Sequence, residues 1–477
     1  MSRYDYDLVV IGVGSGGISA ASLGMNLGKK VAVVEKRRIG GDCTWYGCVP
    51  SKALIRSGAL ARELGRIRDY GLQTEDPIVL NTDRVMEHVR SVRHRIYQGE
   101  TPEVLEEKGI SVYLGAPEFL DPHRIRVGDR TLSSRSFILS TGSSPSIPPV
   151  KGIDDVSYLT NETLFDLDAL PRSMIILGGG PIGTEMASAL NQLGVEITVV
   201  QRDERILPRD DRELVGILLD SLTKEGVKIL TGTEAVECSG DTAGISLIVQ
   251  NPSGQTSVLK ADSLLVATGR SPNVQGMALE KAGVEYSERG IRTDRSLRTT
   301  AANIYGCGDV IGSYKFSHIA EYHASIAVPN ALLPLPLKRK VDYENIVWST
   351  FTEPELAHAG LTEEEARRRY GDSVAIYRHS YDEIDRARTD LADVGMSKFI
   401  CGRRGKLLGI HILGERASEL LHQAQLAKTF GIGFHRIRSM IHIYPTYGDL
   451  VKRPATAAFA NRLQNNFFVK QLRRLAT

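Results

Sequence analysis

Two segments of this chain repeat one pattern, and that repeat restricts the fold more than any other feature. In the first, the apolar run Leu8–Ile11 leads into Gly12-Val13-Gly14-Ser15-Gly16-Gly17, a helical pattern continues to about Gly28, and Val31–Glu35 follows. In the second, Met174–Leu177 leads into Gly178-Gly179-Gly180-Pro181-Ile182-Gly183, a helical pattern continues to Gly194, and Val195–Arg202 follows. Short β-branched runs that stop at glycine read as buried parallel strands, so each segment is a βαβ unit with G-x-G-x-x-G at its first turn. The first glycine of each set (Gly12, Gly178) permits the tight turn. The second (Gly14, Gly180) lets backbone approach a pyrophosphate, and the third (Gly17, Gly183) lets helix and strand pack closely. One such match is weak. Two, each in full βαβ context, predict two dinucleotide sites on an α/β fold.

The residue closing the second strand separates the two sites. Glu35 stands where an acid binds a ribose hydroxyl. At the matching position of the second copy stands Gln201, followed by Arg202, Arg205 and Arg209. A neutral side chain beside guanidiniums suits a 2′-phosphate, which an acid would repel. NADPH is therefore expected there; a basic loop that is merely solvated would leave NADH possible.

A chain of 477 residues suits roughly three or four domains. The Pro-rich stretch 144–149 reads as a connection, and from Tyr343 onward alternating strands and helices, such as Lys406–Leu413, suggest an α+β domain. The expected division is 1–150, 151–270, 271–342 and 343–477. The final stretch, 456–477, places Phe459, Leu463, Phe467, Phe468, Val469 and Leu472 among Arg462, Lys470, Arg473 and Arg474, a helical tail. A net charge of +2 gives no reason to expect nucleic acid. With no apolar run of about 18 residues and a polar N-terminus, neither membrane association nor a signal peptide is expected. Five cysteines in so long a chain are not a disulfide framework, so a cytoplasmic protein is expected.

Two of those cysteines lie in Gly40-Gly41-Asp42-Cys43-Thr44-Trp45-Tyr46-Gly47-Cys48-Val49-Pro50-Ser51-Lys52. Cys48 sits near an expected helix start, where partial positive charge lowers a thiol pKa. A reducible pair beside a dinucleotide site suggests electrons moving through sulfur. With Ser140-Thr141-Gly142, Ala267-Thr268-Gly269-Arg270 and Ile304-Tyr305-Gly306-Cys307-Gly308-Asp309, in this order, the string resembles the class I pyridine nucleotide-disulfide oxidoreductases. That family includes dihydrolipoamide dehydrogenase, glutathione reductase and mercuric reductase.

The resemblance implies two Rossmann-like domains and a C-terminal α+β dimerisation domain, with FAD in the first site, NAD(P)H in the second, and a homodimer. Gly12, Gly14 and Gly17 would cradle the FAD pyrophosphate. Glu35 would hold the adenosine ribose, Asp309 the ribityl chain, and Thr141 and Gly142 would lie against the cofactor. Gly178, Gly180, Gly183, Gln201 and Arg202 would serve the nicotinamide nucleotide, and Gly269 and Arg270 the cofactors generally. Cys48 would face the flavin as the charge-transfer thiolate, and Cys43 would exchange with substrate. Lys52 would sit by the flavin N5 and pair with Glu185. A helix opening at Phe316-Ser317-His318 would point at the flavin's pyrimidine edge. Cys238, Cys307 and Cys401 are expected to be structural.

The chain also departs from the family. Disulfide reductases of this kind carry His-Pro-Thr near the C-terminus with a Glu five residues after the His. Here Tyr444-Pro445-Thr446 and Asp449 occupy those places. A phenol titrates near about 10 and an imidazole near about 6.5, so Tyr444 is a poor proton shuttle. His442, two residues earlier, is not expected to replace it. Pro181 stands where glutathione-reductase-like relatives have a gating Tyr. The tyrosine resembles the mercuric-reductase-like group, but the sequence ends Gln471–Thr477 without that group's cysteine pair. The expected function is an FAD-dependent NAD(P)H oxidoreductase. Electrons would pass through Cys43–Cys48 to an acceptor needing little acid–base help: a soft metal ion, a quinone-like electrophile or a particular disulfide. The alternatives are a dihydrolipoamide dehydrogenase or small-disulfide reductase with an atypical acid–base residue, and a flavoprotein that binds a partner or membrane through its tail.

Overall fold

The computed structural model describes residues 4–73, 79–241, 244–334 and 336–465. They form two compact units. One holds Met1–Leu177, Ala235–Ile248 and Ser257–Val341; the other holds Gly178–Glu234, Val249–Thr256 and Asp342–Thr477.

The first unit is built on a parallel sheet. Strand β1 (Tyr6–Ile11) is followed by helix α1 (Ser15–Asn26) and β2 (Val31–Glu35), close to the boundaries expected from the apolar runs. Helices α2 (Gly41–Trp45) and α3 (Cys48–Gly65) come next, then β3 (Ser111–Leu114), β4 (Pro117–Asp121), β5 (Arg124–Val127) and β6 (Arg130–Leu139). The strand order is β3-β2-β1-β6-β5-β4, and strand Ile304–Gly306 also pairs with β6. β1 runs parallel to both neighbours, with Leu8 opposite Val31 and Ile11 opposite Leu139. Every residue of β2 is buried, which is why its sequence is a continuous apolar run with an acid only at its end.

The chain reverses direction of assembly between β1 and β6, and loops at that switch form the crevice where α/β sheets bind ligands. Gly12 follows β1, Glu35 ends β2, Ser140–Gly142 follows β6, and Gly308-Asp309 follows the strand Ile304–Gly306. The Pro-rich stretch expected as a bare connection includes a strand, Ser143–Pro145, paired antiparallel with Arg270–Pro272. Proline tolerates such a short two-stranded edge.

In the second unit, strand Glu196–Val200 runs parallel to Lys228–Leu230. The C-terminal region forms a five-stranded antiparallel sheet in the order Val347–Thr350, Glu355–Gly360, Leu407–Gly414, Met396–Cys401, Ala375–Ser380. Helices Ala417–Thr429 and Asp449–Gln464 contribute Leu421, Ala424, Leu450, Val451 and Ala455 to the core that this sheet shares. The expected tail begins within the second of these helices. Phe467, Phe468, Val469, Lys470, Leu472, Arg473 and Arg474 lie outside the described residues. Among the described residues no helix is long and apolar enough to cross a membrane.

Candidate active site

The first fingerprint forms a closed turn. Gly12 has φ 91°, and a Cβ there would lie 2.4 Å from Ser140 O. A Cβ on Gly17 would lie 2.0 Å from Gly12 O, so only glycine lets α1 start this close to β1. Glu35 is buried, and its Oε2 accepts a hydrogen bond from Val13 N at 2.7 Å while Oε1 accepts from Arg37 N at 2.7 Å. Thr141 and Gly142 are tied to Asn273. Thr141 Oγ1 donates to Asn273 O at 2.6 Å, and Asn273 N donates to Gly142 O at 3.0 Å.

Asp309 is the half-buried acid of this crevice. Its carboxyl is raised above the usual range, first by burial, although Ser143 Oγ donates to it at 2.6 Å and Arg270 lies 4.0 Å away. Beneath it Gly308 N donates to His323 Nδ1 at 3.2 Å. That bond requires an unprotonated Nδ1, and burial holds His323 down to about 4. A glycine-lined turn at a helix N-terminus, a ribose-height acid and a half-buried carboxyl facing the same crevice fit a dinucleotide such as FAD.

The cysteines stand at the same edge. Cys43 lies inside α2, and Cys48 is the first residue of α3, as expected. Both are free thiols. Cys48 Sγ is 3.3 Å from the hydroxyl of Ser317, the first residue of helix Ser317–Leu332. The pair divides its charge unequally. The Cys43 thiol is held down at about 6, first by the hydrogen bond from Cys48 and then by Ser317 and Ser15, against burial and the nearby Asp42. Cys48 is pushed far up by that same bond and by burial, despite Ser317 and Lys52. The expected charge-transfer thiolate is Cys48; its partner Cys43 gathers donors from two further helix starts, so the first proton leaves the pair easily and the second ionisation must work against the first. Neither serine was singled out from the sequence, since each reaches the sulfurs only through the fold.

The other three cysteines are buried. Burial pushes Cys401 up to about 12 and raises Cys238 and Cys307 as well, so all three are poor nucleophiles. His318 is the second residue of its helix and stacks on Phe316 at 5.6 Å. Lys52, within α3, donates to Ser51 Oγ at 3.4 Å. In the second unit, buried Glu185 accepts from Phe351 N at 2.9 Å. Gly269 has φ 139°, and Arg270 beside it directs its guanidinium to Asp42, Asn161 and Ser143.

The second fingerprint repeats the first in its own unit. Gly178 has φ 104°, Gly180 caps helix Pro181–Gln192, and Gly183 is buried in it. Pro181 takes the first helical position, where a missing N–H costs nothing. Gly179 N donates to Gln201 Oε1 at 2.7 Å, and Gln201 Nε2 donates to Asp203 Oδ2 at 2.9 Å. Arg202 and Arg209 are exposed, whereas Arg205 Nη2 turns back to Pro208 O at 2.6 Å.

Tyr444 is 66% exposed and its hydroxyl donates to Asp385 Oδ2 at 2.7 Å. That bond raises the phenol above its ordinary value. Asp449 instead pairs with its own helix, 3.4 Å from Arg453 and 3.9 Å from Lys452. His442 Nε2 lies 2.8 Å from Gln423 Nε2, and its Nδ1 lies 3.0 Å from Met440 O. Among the described residues no group of three or more His, Cys, Asp or Glu could hold a metal ion.

Comparison with known proteins agrees with this architecture. Residues 6–324 match the family model for pyridine nucleotide-disulphide oxidoreductase, and residues 346–455 match the dimerisation domain of the same family, which supports a homodimer. The chain is 33% identical to a mercuric reductase of Staphylococcus aureus over 455 residues, covering 94% of this chain and 82% of the relative. It is 31% identical to a dihydrolipoyl dehydrogenase of Bacillus subtilis (strain 168) over 471 residues, covering 95% and 98%. Among solved structures, the Cu(II) complex of the HOCl-induced flavoprotein disulfide reductase RclA from Escherichia coli superposes with a TM-score of 0.82 at 27% identity, covering 96% of this chain and 100% of that one. The chain belongs to the pyridine nucleotide-disulphide oxidoreductase family, enzymes that use FAD and NAD(P)H.

Proposed function

We propose that this enzyme passes electrons from NADPH through FAD to the Cys43–Cys48 pair, and from there to an acceptor that needs no imidazole general acid. The observation that carries the reading is Tyr444. At the family's His position stands a phenol that donates to Asp385 at 2.7 Å and is raised above its ordinary value, so it cannot take up a proton near neutrality.

Bound flavin supplies the two-electron step between nicotinamide and disulfide. Around it, Gly12, Gly14 and Gly17 would admit the pyrophosphate, Glu35 the ribose and Asp309 the ribityl hydroxyls. Lys52 would offset negative charge arriving with hydride. Cys48 would face the flavin and Cys43 the acceptor. Two electrons and two protons open the disulfide to two thiols. Closing it again delivers two electrons outward. One Hg²⁺ takes both and becomes the metal, or two Cu²⁺ take one each and become Cu⁺, and in either case the two protons go to solvent. A disulfide acceptor instead takes two electrons and two protons, and it is for those protons that an imidazole is wanted. Thiolates bind soft ions well, and relatives named mercuric reductase and a Cu(II) complex of RclA support a metal ion as acceptor. NADPH is favoured over NADH because Gln201 presents no carboxylate at the strand end and Arg202 is exposed.

The test is an acceptor panel of Hg²⁺, Cu²⁺, a quinone, lipoamide and oxidised glutathione with NADPH or NADH. The expected result is turnover with an ion or quinone at least ~10²-fold above lipoamide and glutathione. Tyr444→His should then raise turnover of the small disulfides. Fast lipoamide turnover by the natural protein would instead make it a dihydrolipoamide dehydrogenase with an atypical acid–base residue.

A further inference from the structure

Cys43 lies in the short helix α2, and the residues on either side of it are joined by one buried side chain. Asn161 Nδ2 donates to Asp42 Oδ1 at 2.9 Å and to Tyr46 O at 3.2 Å, one residue before Cys43 and three residues after it. The other end of the amide accepts from Arg270 Nη1 at 3.1 Å, which fixes its orientation. Arg270 also reaches Asp42 directly, Nη2 to Oδ1 at 2.9 Å, and is itself held by Ser143, Nε to Oγ at 2.8 Å and Nη2 to O at 2.7 Å. The Asn161 side of this lattice is buried, and the Arg270 side chain is 9% exposed.

We propose that Asn161, locked by Arg270, is a positioning residue that staples the redox loop through Asp42 and Tyr46 and so keeps the Cys43 and Cys48 sulfurs within closing distance when the disulfide opens. The argument is one of effective concentration. Reduction breaks the S–S bond, and both sulfurs accept a proton as the reductant's two electrons arrive. The short segment bearing Cys43 is then free to move away unless its flanks are tied. Holding reactive groups in place favours the intramolecular product, here the disulfide, over the separated thiols. The staple has an electrostatic side too. The Asp42 carboxylate acts against the Cys43 thiolate, and its Oδ1 is drawn toward the Arg270 guanidinium. The inference rests on the reading that Cys43 and Cys48 form a redox pair.

The experiment equilibrates the flavin-loaded enzyme anaerobically in mixtures of reduced and oxidised dithiothreitol. Thiols are then trapped with iodoacetamide and the dithiol fraction is measured by mass. Asn161→Ala should shift the equilibrium toward the dithiol by roughly tenfold, which for two electrons is about 30 mV. Asp42→Asn keeps the acceptor oxygen but loses the charge. It should leave the equilibrium near that of the natural protein and move the pH midpoint of Cys43 alkylation below about 6. Asp42→Ala should do both. Superimposable equilibria for Asn161→Ala, Asp42→Ala and the natural protein, at equal flavin content, would overturn the staple while leaving the redox pair intact. An absence of any dithiol–disulfide equilibrium in the natural protein would overturn the pair and the staple together. Should Asn161→Ala fail to fold, the Asp42 variants decide the matter alone.

Discussion

The two fingerprints use one backbone device, in one case with a charge and in the other without. In the first, Glu35 accepts from Val13 N; in the second, Gln201 accepts from Gly179 N, at the same 2.7 Å and from the same position of the turn. What differs is the spare end. Glu35 turns its other oxygen to Arg37 N, whereas Gln201 turns a donor to Asp203. The strand-end residue therefore has two separable tasks: to hold the glycine turn, which either side chain can do, and to present a charge to the ribose, which only one can.

The largest expected effect comes from removing both tasks at the first site. Glu35→Ala leaves Val13 N without its buried acceptor, at a cost of ~1–3 kcal/mol, and removes the ribose partner as well. FAD affinity should fall by ~10²-fold or more, read as loss of flavin absorbance on gel filtration; full flavin retention would break the comparison. Glu35→Gln, which keeps the turn, should lose much less.

Next is the reciprocal exchange. Gln201→Glu keeps the bond to Gly179 but adds a charge beside Asp203. The ratio of kcat/KM for NADPH over NADH should fall by roughly 10–100-fold. An unchanged ratio would mean that Arg202 and Arg209, not the strand end, set the preference. Asp203→Asn should act in the opposite direction and more weakly, raising NADPH preference by a factor of about 2–5, since an exposed charge is screened.

Acid should separate the regions again. His323 is held at about 4 in the folded protein, below the ~6.5 of an unfolded histidine. Its contribution to stability is therefore complete above about 6.5 and is lost as pH falls toward about 4, because the unfolded chain takes the proton first. Protonation would also break the Gly308 bond under Asp309. Flavin release measured between pH 7 and 4.5 should rise toward acid, and His323→Asn should flatten that curve. His411 in the second unit, held at about 3 by burial and by His358, adds to acid unfolding.

Much of this was legible in the sequence because it is local. The βαβ boundaries followed from apolar runs and glycines, and Cys48 was correctly read as a helix start. What was not legible is joined across long separations. Asn161 and Arg270 meet Asp42 from residues 119 and 228 positions away, and Ser317 meets Cys48 from 269. The low pKa of the Cys43–Cys48 pair's first ionisation depends on Ser15 and Ser317 arriving together, which no spacing rule encodes. The partner of Tyr444 is Asp385, not the nearby Asp449, because Asp449 opens a helix and pairs with that helix's own Lys452 and Arg453. Nor did the sequence reveal that the basic loop after Gln201 ends at buried Asp210 and Asp211, which are held by Trp348 Nε1 at 2.9 Å and Lys398 Nζ at 2.9 Å.

The central claim is that electrons reach sulfur through flavin. Anaerobic titration of the purified protein with NADPH, followed by visible absorbance and thiol content, tests it most directly. The account predicts uptake of a second reducing equivalent beyond that of the flavin, the appearance of two thiols, and a long-wavelength charge-transfer band that disappears in Cys48→Ser. Flavin bleaching with a single equivalent, no band and no new thiols would contradict it.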